Sequence, residues 1–583
     1  MRRHGGIAAL IGLMAGSALL AGCSVLGVSP GSAADSSRPV SDQSAPLTTQ
    51  VRPAAGGAVA PAITQADRPS IVFVLMDDFS MDLLQTMKGA RRLARTGASY
   101  PHSFVVDSLC CVSRSSIFTG QYPHQTGVRT NTAAGAGADG PMGGWEAFDT
   151  YGNAERSFNT RLQGAGYTTG FVGKYLNEYE YVPGRKPVPP VPPGWSQFNV
   201  VFGSAYDGWD FHSTTISGGQ LQLRAHPAPP LGSTTEALDD AYAGEIIEDY
   251  ALDFIRAHRD DRAPYFLEVA PYATHSRTTA EGAYPGDPLF PPAFRDRPGG
   301  TNAAGNCGMP CRRLTVDDLP GYADDSSDNR PRRRNGSPAT AWNTQASRLP
   351  TSAYVTSLRT RAQMAQSVDR TLRKIIKAVG DDTYVVLTSD NGFHLGQLGL
   401  GRGKGTAYDT DVRVPLLIAG PGVTPGARAE MVNNIDLAPT FEDLAGVASP
   451  RYRSGSSLVP SLRSPAKAER NFVFFEHTSP RSSDDPDQAF TGDELSRIPS
   501  YVAVRSRTGL LIRYDLDPTP ASVERGYEFY SYAKRPWERK NTFAAPRNQA
   551  EVEVLMGKLK AFDRCARATR GAAVSPACHD LTR

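Results

Sequence analysis

Long apolar runs that end at acidic or amide residues are the strongest constraint on how this chain folds. The run "SIVFVLM" ends at Asp77 and Asp78, and the run "TYVVLTS" ends at Asp390 and Asn391. Uninterrupted apolar strands of this length are typical of a sheet that is buried on both faces, as parallel sheets are. These runs therefore predict strands at the centre of a large sheet.

Helical patterns separate the apolar runs. The segment "SLRTRAQMAQSVDRTLRKIIKAV" predicts a helix over residues 357–379, and "DLAPTFEDLAGV" predicts one over residues 436–447. Alternating strands and helices predict an α/β fold with a large mixed, mostly parallel sheet flanked by helices. Later in the chain, "NFVFFEH", "YVAVRSRT" and "GLLIRYDL" predict a smaller antiparallel sheet, with a tight turn containing Gly509 between the last two strands.

Polar residues at the strand ends indicate a functional site. Ligands bind beyond the carboxyl ends of the strands in such sheets, and two more runs lead there into Lys174 and into a loop with His275. Clustered carboxylates repel one another unless a cation neutralises them, and carboxylate and amide oxygens suit a hard ion such as Ca²⁺ or Mg²⁺. Helix capping or turn formation is the alternative for any single residue. The candidate metal ligands are Asp77, Asp78, Asp390 and Asn391.

The first 66 residues have the composition of a targeting segment and a tether. Residues 1–23 combine a basic start, a short apolar stretch and the ending "LAGC", which predicts an export signal and resembles the lipobox of bacterial lipoproteins. A simple cleaved signal is the alternative. Residues 24–66, rich in Ser, Ala, Gly, Pro and Thr, predict a flexible linker. We therefore expect an exported lipoprotein on the outer face of the bacterial cell membrane, anchored by lipid on Cys23.

Charge and cysteine usage narrow the possible functions. The formal net charge is +3, which does not indicate a nucleic-acid partner. Export predicts paired cysteines, and Cys307 with Cys311 and Cys565 with Cys578 are close enough in sequence to bridge. A redox role for "CGMPC" is the alternative, but the segment lacks the usual two-residue spacer, which favours a structural bridge. The adjacent cysteines in "SLCCVSR" remain, and neighbouring cysteines rarely bridge each other without strain.

Six further segments are distinctive: "VLMDDFS", "LCCVSRSSIFTGQYPH", "GFVGKYLNEYE", "PPGWSQF", "LTSDNGFHLGQLGLGRGKGTAYDTDVRVPLLIAGPGV" and "NNIDLAPTFEDLAG". Together they resemble the sulfatase family of the alkaline phosphatase superfamily, and within it the N-acetylglucosamine-6-sulfatase-like arylsulfatases. The resemblance implies an alkaline phosphatase-like catalytic domain over residues 67–455 and a C-terminal subdomain over residues 456–583. It also implies hydrolysis of sulfate esters, with a sulfated sugar such as glucosamine-6-sulfate or an aryl sulfate as substrate.

The family motif Cys-x-Pro-x-Arg falls on residues 110–114. The resemblance implies that a formylglycine-generating enzyme oxidises Cys110 to formylglycine (3-oxoalanine), whose hydrated aldehyde attacks the sulfur. It gives sulfate-binding and proton-donating roles to Arg114, Lys174, His275 and Lys404. It also implies one Ca²⁺ ion, held by Asp77, Asp78, Cys110, Asp390 and Asn391.

Val112 stands where the family motif has proline. Two alternatives to the sulfatase interpretation therefore stay open. One is a phosphodiesterase or phosphonate hydrolase of the same superfamily, and the other is an inactive lipoprotein that binds sulfated glycans with Cys110 unmodified. In "NGFHLG", His394 is a second candidate near the metal, or a loop histidine bonded to backbone. For Asp409 and Arg413 we expect an ion pair that supports the fold.

Overall fold

The computed structural model describes residues 68–133, 140–217, 220–344, 349–466, 470–479, 485, 487, 494–516, 524–533, 536–567 and 570–583. The predicted signal and linker over residues 1–66 lie outside these ranges. None of the helices in the described ranges has the length and apolar character needed to cross a bilayer.

Eight strands form one large sheet, and four others form a separate sheet near the C-terminus. The strands are β1 Ser70–Met76, β2 Ala98–Ser99, β3 Ser103–Phe104, β4 Thr168–Gly173, β5 Gln197–Val200, β6 Phe211–Ser217, β7 Gln220–His226, β8 Tyr265–Ala270, β9 Thr383–Ser389, β10 His394–Leu395, β11 Arg402–Gly403, β12 Leu416–Ala419, β13 Gly426–Ala427, β14 Val432–Asn433, β15 Phe472–His477, β16 Tyr501–Ser506, β17 Gly509–Asp515 and β18 Arg525–Ser531. The large sheet has the order β13-β2-β12-β9-β1-β8-β4-β5.

Helices flank the sheet and connect its strands. The α-helices are α1 Lys88–Thr96, α2 Cys110–Thr119, α3 Pro123–Thr126, α4 Gly144–Thr150, α5 Asn153–Arg156, α6 Phe158–Gly164, α7 Thr235–Asp240, α8 Ala243–His258, α9 Thr351–Ala378, α10 Asp409–Val412, α11 Leu437–Leu444, α12 Val459–Arg463, α13 Glu494–Arg497, α14 Gln549–Cys565 and α15 Pro576–His579. Short 3-10 helices lie at Met81–Thr86, Gly203–Asp207, Phe294–Asp296, Cys311–Arg313, Val316–Asp318, Ser326–Asn329, Asn434–Asp436, Pro546–Asn548 and Asp580–Thr582.

The central strand β1 has an almost entirely apolar sequence because both of its faces are buried. It pairs in parallel with β8 on one side and β9 on the other, and all its residues are buried. Val72 and Val74 pack into the core on one face of the sheet, while Ile71 and Phe73 pack into the core on the other face. Because both faces are covered, alternation of polar and apolar residues is absent from this strand. The predicted α/β fold with a mostly parallel sheet is confirmed.

The C-terminal sheet has the order β15-β16-β17-β18, and all its pairs are antiparallel. This confirms the predicted small antiparallel sheet. Gly509 begins β17, so the tight turn consists of Arg507 and Thr508 and precedes this glycine. Helix α14 covers one face of the sheet through Val552 and Leu555, which share an apolar cluster with strand residues.

Both predicted disulfides are present, between Cys307 and Cys311 and between Cys565 and Cys578. The predicted helices are confirmed with shifted ends. Helix α9 begins earlier than expected, at Thr351, directly after Pro350, and ends at Ala378. Helix α11 covers only Leu437–Leu444, because a 3-10 turn over Asn434–Asp436 precedes it.

Candidate active site

The predicted polar residues lie together at the carboxyl ends of four neighbouring strands of the large sheet. Strands β9, β1, β8 and β4 are adjacent and parallel, so their carboxyl ends lie side by side. The side chains that follow these strands are at most 2% exposed, which makes the site a buried polar cluster. The residues brought there are Asp77 and Asp78 after β1, Asp390 and Asn391 after β9, Lys174 after β4, and His275 after β8.

Cys110 is the first residue of α2 and lies at the centre of this cluster. Its Sγ is 2.9 Å from Nζ of Lys404, 3.4 Å from Oδ1 of Asp77 and 3.9 Å from Oδ1 of Asp78. Burial raises the pKa of the Cys110 thiol well above its ordinary value, and nearby lysines only partly offset this effect. The unmodified sulfur is therefore a protonated thiol at neutral pH, which is a poor nucleophile.

Each cation of the site is paired with a carboxylate. Nζ of Lys174 lies 2.6 Å from Oδ2 of Asp77, and Nζ of Lys404 lies 2.6 Å from Oδ1 of Asp78. Burial lowers the pKa of both lysines, but the neighbouring carboxylates outweigh it, so both pKa values lie above their ordinary value. Both lysines therefore stay charged across the physiological pH range.

Arg114 occupies the same helix face as Cys110, as its spacing predicts. Its Nε donates to Oδ2 of Asp390 at 2.8 Å, and its Nη1 donates to the carbonyl oxygen of Lys174 at 2.8 Å. The guanidinium thus connects the ends of two sheet strands to α2. Because Asp390 and the other carboxylates outweigh the effect of burial, the pKa of Arg114 is raised.

The donor atoms of the cluster fit a hard cation. Oδ1 of Asn391 and Oδ2 of Asp78 are buried, and neither has a hydrogen-bond donor within the described part of the chain. Asp78 also adopts a left-handed backbone conformation, with φ of 55°, which few residues other than glycine, Asn and Asp tolerate. Ligand atoms of Asp77, Asp78, Cys110 and His275 all lie within 4.8 Å of one another. Cys110 and His275 add a sulfur and a nitrogen to this group, while the carboxylates of Asp77 and Asp78 and the amide oxygen of Asn391 are ligands that suit a hard cation such as Ca²⁺.

Asp487 is a site residue that the sequence reasoning did not find. Its Oδ1 is 2.7 Å from Nε2 of His275, its Oδ2 is 3.0 Å from Nζ of Lys404, and it is 4% exposed. Nδ2 of Asn131 donates to the same Oδ2 at 2.7 Å. No apolar run leads directly into Asp487 in the sequence, so the pattern that revealed the other carboxylates could not reveal this one.

The remaining candidates support the structure around the site. Nδ1 of His394 is 2.8 Å from Oδ1 of Asp411, so this loop histidine is bonded to a carboxylate. Asp409 and Arg413 form the expected ion pair, with 3.8 Å between Oδ2 and Nη1. Val112 is buried in an apolar cluster.

Comparison with known proteins identifies the family. The family model "Sulfatase" matches residues 69–447, which is more than half of the chain. A second model, "N-sulphoglucosamine sulphohydrolase, C-terminal", matches residues 403–564.

Relatives and solved structures agree with these matches. An extracellular sulfatase SULF-1 homolog from Drosophila melanogaster is 31% identical over 422 residues, which cover 69% of this chain and 32% of the relative. N-acetylglucosamine-6-sulfatase from Homo sapiens is 30% identical over 406 residues, which cover 68% of this chain and 64% of the relative. The chain thus spans between about a third and two thirds of the length of these curated relatives.

Two solved structures share the fold. One is a protein in complex with its substrate D-glucosamine-2-N,6-O-disulfate, with a TM-score of 0.57 and 19% identity, covering 85% of this chain and 98% of its own. The other is a phosphonate monoester hydrolase from Silicibacter pomeroyi, with a TM-score of 0.57 and 18% identity, covering 86% of this chain and 96% of its own. At these identities the likeness concerns the fold alone. The family match over residues 69–447 shows that the chain belongs to the sulfatase family.

Proposed function

We propose that this protein is a sulfuric ester hydrolase that acts on a sulfated sugar such as glucosamine-6-sulfate, with a formylglycine derived from Cys110 and one Ca²⁺ ion. The observation that carries the proposal is the environment of Cys110. Its Sγ lies at the N-terminus of a buried helix, 2.9 Å from a lysine ammonium and within 4 Å of two strand-end carboxylates. This arrangement combines an anion-binding helix terminus, cations and an oxygen-rich cation site around one side chain.

The cations of the site would bind the sulfate group and balance developing charge. Lys404 lies closest to the Cys110 side chain, and Lys174 lies beside Asp77 on the neighbouring strand. Both remain protonated, so they attract the anionic ester and stabilise the negative charge that grows on its oxygens. Arg114 keeps Asp390 and the end of β4 in place, which fixes the distances between these groups.

His275 is the proposed proton donor to the leaving alcohol. Its Nδ1 faces the carbonyl oxygen of Ser276 at 2.7 Å, and its Nε2 faces a carboxylate oxygen of Asp487 at 2.7 Å. A ring with acceptors at both nitrogens carries a proton on each. A general acid of this kind contributes ~10²–10⁴-fold to the rate.

Asp77, Asp78, Asp390 and Asn391 would hold the Ca²⁺ ion. Formylglycine would supply an aldehyde-derived nucleophile, and the Ca²⁺ ion would supply a Lewis acid that polarises a sulfate oxygen. Oδ2 of Asp78 and Oδ1 of Asn391, which are buried and have no hydrogen-bond donor among the described residues, support this ligand set. The formylglycine-generating enzyme is the maturation partner that the proposal requires.

Steady-state assays on matched aryl esters test the reaction class. We expect a larger kcat/KM for the sulfate ester than for the corresponding phosphate or phosphonate ester. The reverse order would support the phosphonate hydrolase alternative, which the shared fold with such an enzyme keeps open.

Mass spectrometry of the peptide that contains Cys110, from protein made in its native host, tests the nucleophile. We expect formylglycine at position 110 despite Val112. An intact thiol in every molecule would instead support the inactive glycan-binding lipoprotein.

Replacement of the nucleophile is the matching test of activity. We expect Cys110→Ala to abolish turnover and to keep the melting temperature, because the side chain is small and the helix does not depend on it. Retained turnover would mean that another residue is the nucleophile.

We also propose that the protein is exported and anchored outside the bacterial cell membrane through lipid on Cys23. Two disulfides, which form in oxidising compartments, support export. Relatives whose names describe them as extracellular sulfatases support it as well. Cell fractionation checks the anchor, because Cys23→Ser should move the protein out of the membrane fraction.

A further inference from the structure

The carboxylate of Asp487 contacts Lys404 and His275, the two cationic side chains that would interact with the substrate in the proposed function. It contacts Nζ of Lys404 at 3.0 Å and Nε2 of His275 at 2.7 Å, and its side chain is almost completely buried. Burial alone would raise the pKa of Asp487, but Lys404 and His275 outweigh this effect and hold the pKa well below its ordinary value. Asp487 is therefore charged in the resting protein.

The position of this carboxylate is set by the helix that carries the nucleophile. Nδ2 of Asn131 donates to Oδ2 of Asp487 at 2.7 Å, while Oδ1 of Asn131 accepts a hydrogen bond from the backbone amide of Cys111 at 3.0 Å. One buried amide thus links Asp487 to the first turn of α2. Because this link is short and buried, Asp487 keeps a defined place relative to Cys110 when a substrate enters.

A bound sulfate ester changes what the carboxylate contacts. The anionic group of the ester shares Lys404 and His275 with Asp487, and the proton of His275 goes to the leaving oxygen. Asp487 keeps the hydrogen bond from Asn131, but a smaller share of Lys404 and His275 leaves its buried charge less well compensated, which costs free energy. A hydrogen-bond donor on the part of the substrate next to the ester would restore this compensation.

We propose that Asp487 is a specificity-determining residue, which accepts a hydrogen bond from a hydroxyl or amide N–H beside the scissile ester and so selects sugar sulfates over aryl sulfates. This inference rests on the proposed function. A sugar ring carries such donors on the carbons near its ester, whereas a simple aryl sulfate has none. A site with a buried acceptor discriminates strongly against a substrate that lacks the matching donor.

The test compares two substrates and two acidic residues of the same segment. For Asp487→Asn and Asp487→Ala, we expect kcat/KM for N-acetylglucosamine 6-sulfate to fall about tenfold or more relative to kcat/KM for 4-nitrophenyl sulfate. Asp485→Asn is the matched control, because Asp485 contacts the same Asn131 at 3.3 Å and its Oδ1 accepts a hydrogen bond from the backbone amide of Asp487 at 3.0 Å, which the side-chain oxygen of Asn can still accept. This control should keep the wild-type ratio of the two values within about threefold.

A measurement on the wild-type protein keeps the inference testable if the variants fold poorly. Analogues of the sugar sulfate that lack one ring hydroxyl should identify a position whose loss lowers kcat/KM about tenfold. That loss should disappear in Asp487→Ala wherever this variant folds.

If the Asp487 variants lose the same factor of kcat/KM on both substrates, Asp487 has a structural role. If kcat/KM rises on both substrates, Asp487 competes with the substrate anion for the cations. Either result, or deoxy analogues that all react like the parent sugar, overturns the inference alone. Wild-type protein that hydrolyses neither ester overturns the proposed function and this inference with it.

Discussion

Glu268 is a buried carboxyl group that has no role in the proposed reaction. It lies inside β8, on the sheet face where Phe266 and Ala270 pack into an apolar core. Neither of its carboxyl oxygens has a hydrogen-bond partner among the residues described. Burial raises the pKa of Glu268 to about 8, and Arg114 only partly offsets this. The folded protein therefore keeps a proton there that the unfolded chain loses at a lower pH.

Glu268→Gln should stabilise the protein more at pH 8 than at pH 5. In the unfolded chain the carboxyl ionises near pH 4.5, whereas in the folded protein it ionises near pH 8, so wild-type stability falls as the pH rises between these values. The slope approaches ~1.4 kcal/mol per pH unit within this window, and the neutral amide of the variant removes it. Urea unfolding of both proteins at pH 5 and pH 8 measures the difference. If the free energies of unfolding of the variant and the wild type differ by the same amount at pH 5 and pH 8, the pKa of Glu268 is not shifted.

At the scale of elements, helix α2 is held at both ends. Its first turn carries Cys110, and its last carbonyls are capped near Gly120, which has the left-handed φ of 61° that favours glycine. Nη1 of Arg453 donates to the carbonyl of Thr119, and the same guanidinium forms a two-point ion pair with Glu442 of α11, at 2.6 Å and 2.9 Å. Both side chains are at most 1% exposed. The position of Cys110, the proposed nucleophile, thus depends on a buried ion pair between Arg453 and Glu442 of α11.

Glu442→Leu should lower the free energy of unfolding by about 3–5 kcal/mol, because it leaves the buried Arg453 without its carboxylate. Denaturant unfolding followed by circular dichroism measures this loss. The double variant Glu442→Leu with Arg453→Met removes both charges and should regain part of it. If the double variant is less stable than the single variant, the isolated charge is not the cause.

At the scale of the whole molecule, the two predicted domains share a core beside the site. One apolar cluster contains Val112 of α2, Tyr408, Phe475 of β15 and Ile512 of β17. Asp487 extends this association to the polar site itself. The boundary between residues 455 and 456 stays a prediction, and the shared cluster indicates that the two parts fold together.

Calcium should stabilise the whole fold. Asp78, which follows β1, is hydrogen-bonded to Asp390 and Asn391, which follow β9. An ion that binds these residues only in the native state stabilises that state by about 2.7 kcal/mol at a concentration 100 times its Kd. We expect EGTA to lower the melting temperature and added Ca²⁺ to restore it. Asp78→Asn, which removes one ligand charge, should weaken this response. A melting temperature that neither EGTA nor Ca²⁺ changes would contradict the metal site.

By itself, the sequence determined the sheet and most of the site. Apolar strands buried on both faces leave a signal at every residue, and parallel strands bring their carboxyl ends to one edge, so the position of Asp77, Asp78, Asp390 and Asn391 followed from pattern alone. The disulfides were also predictable, because each joins cysteines that are close in the chain. The family resemblance then assigned chemistry to Cys110, Lys174, His275 and Lys404.

Only the tertiary structure decided which charges meet and which remain buried without a partner. Asp487 is 212 residues from His275 and 83 residues from Lys404 in the chain, so no local periodicity connects them. In the sequence, Glu268 is one polar residue in an apolar strand, and its burial follows from the apolar cluster that covers its face of the sheet. Contacts of this kind arise from packing between distant segments, which leaves no regular spacing in a single sequence.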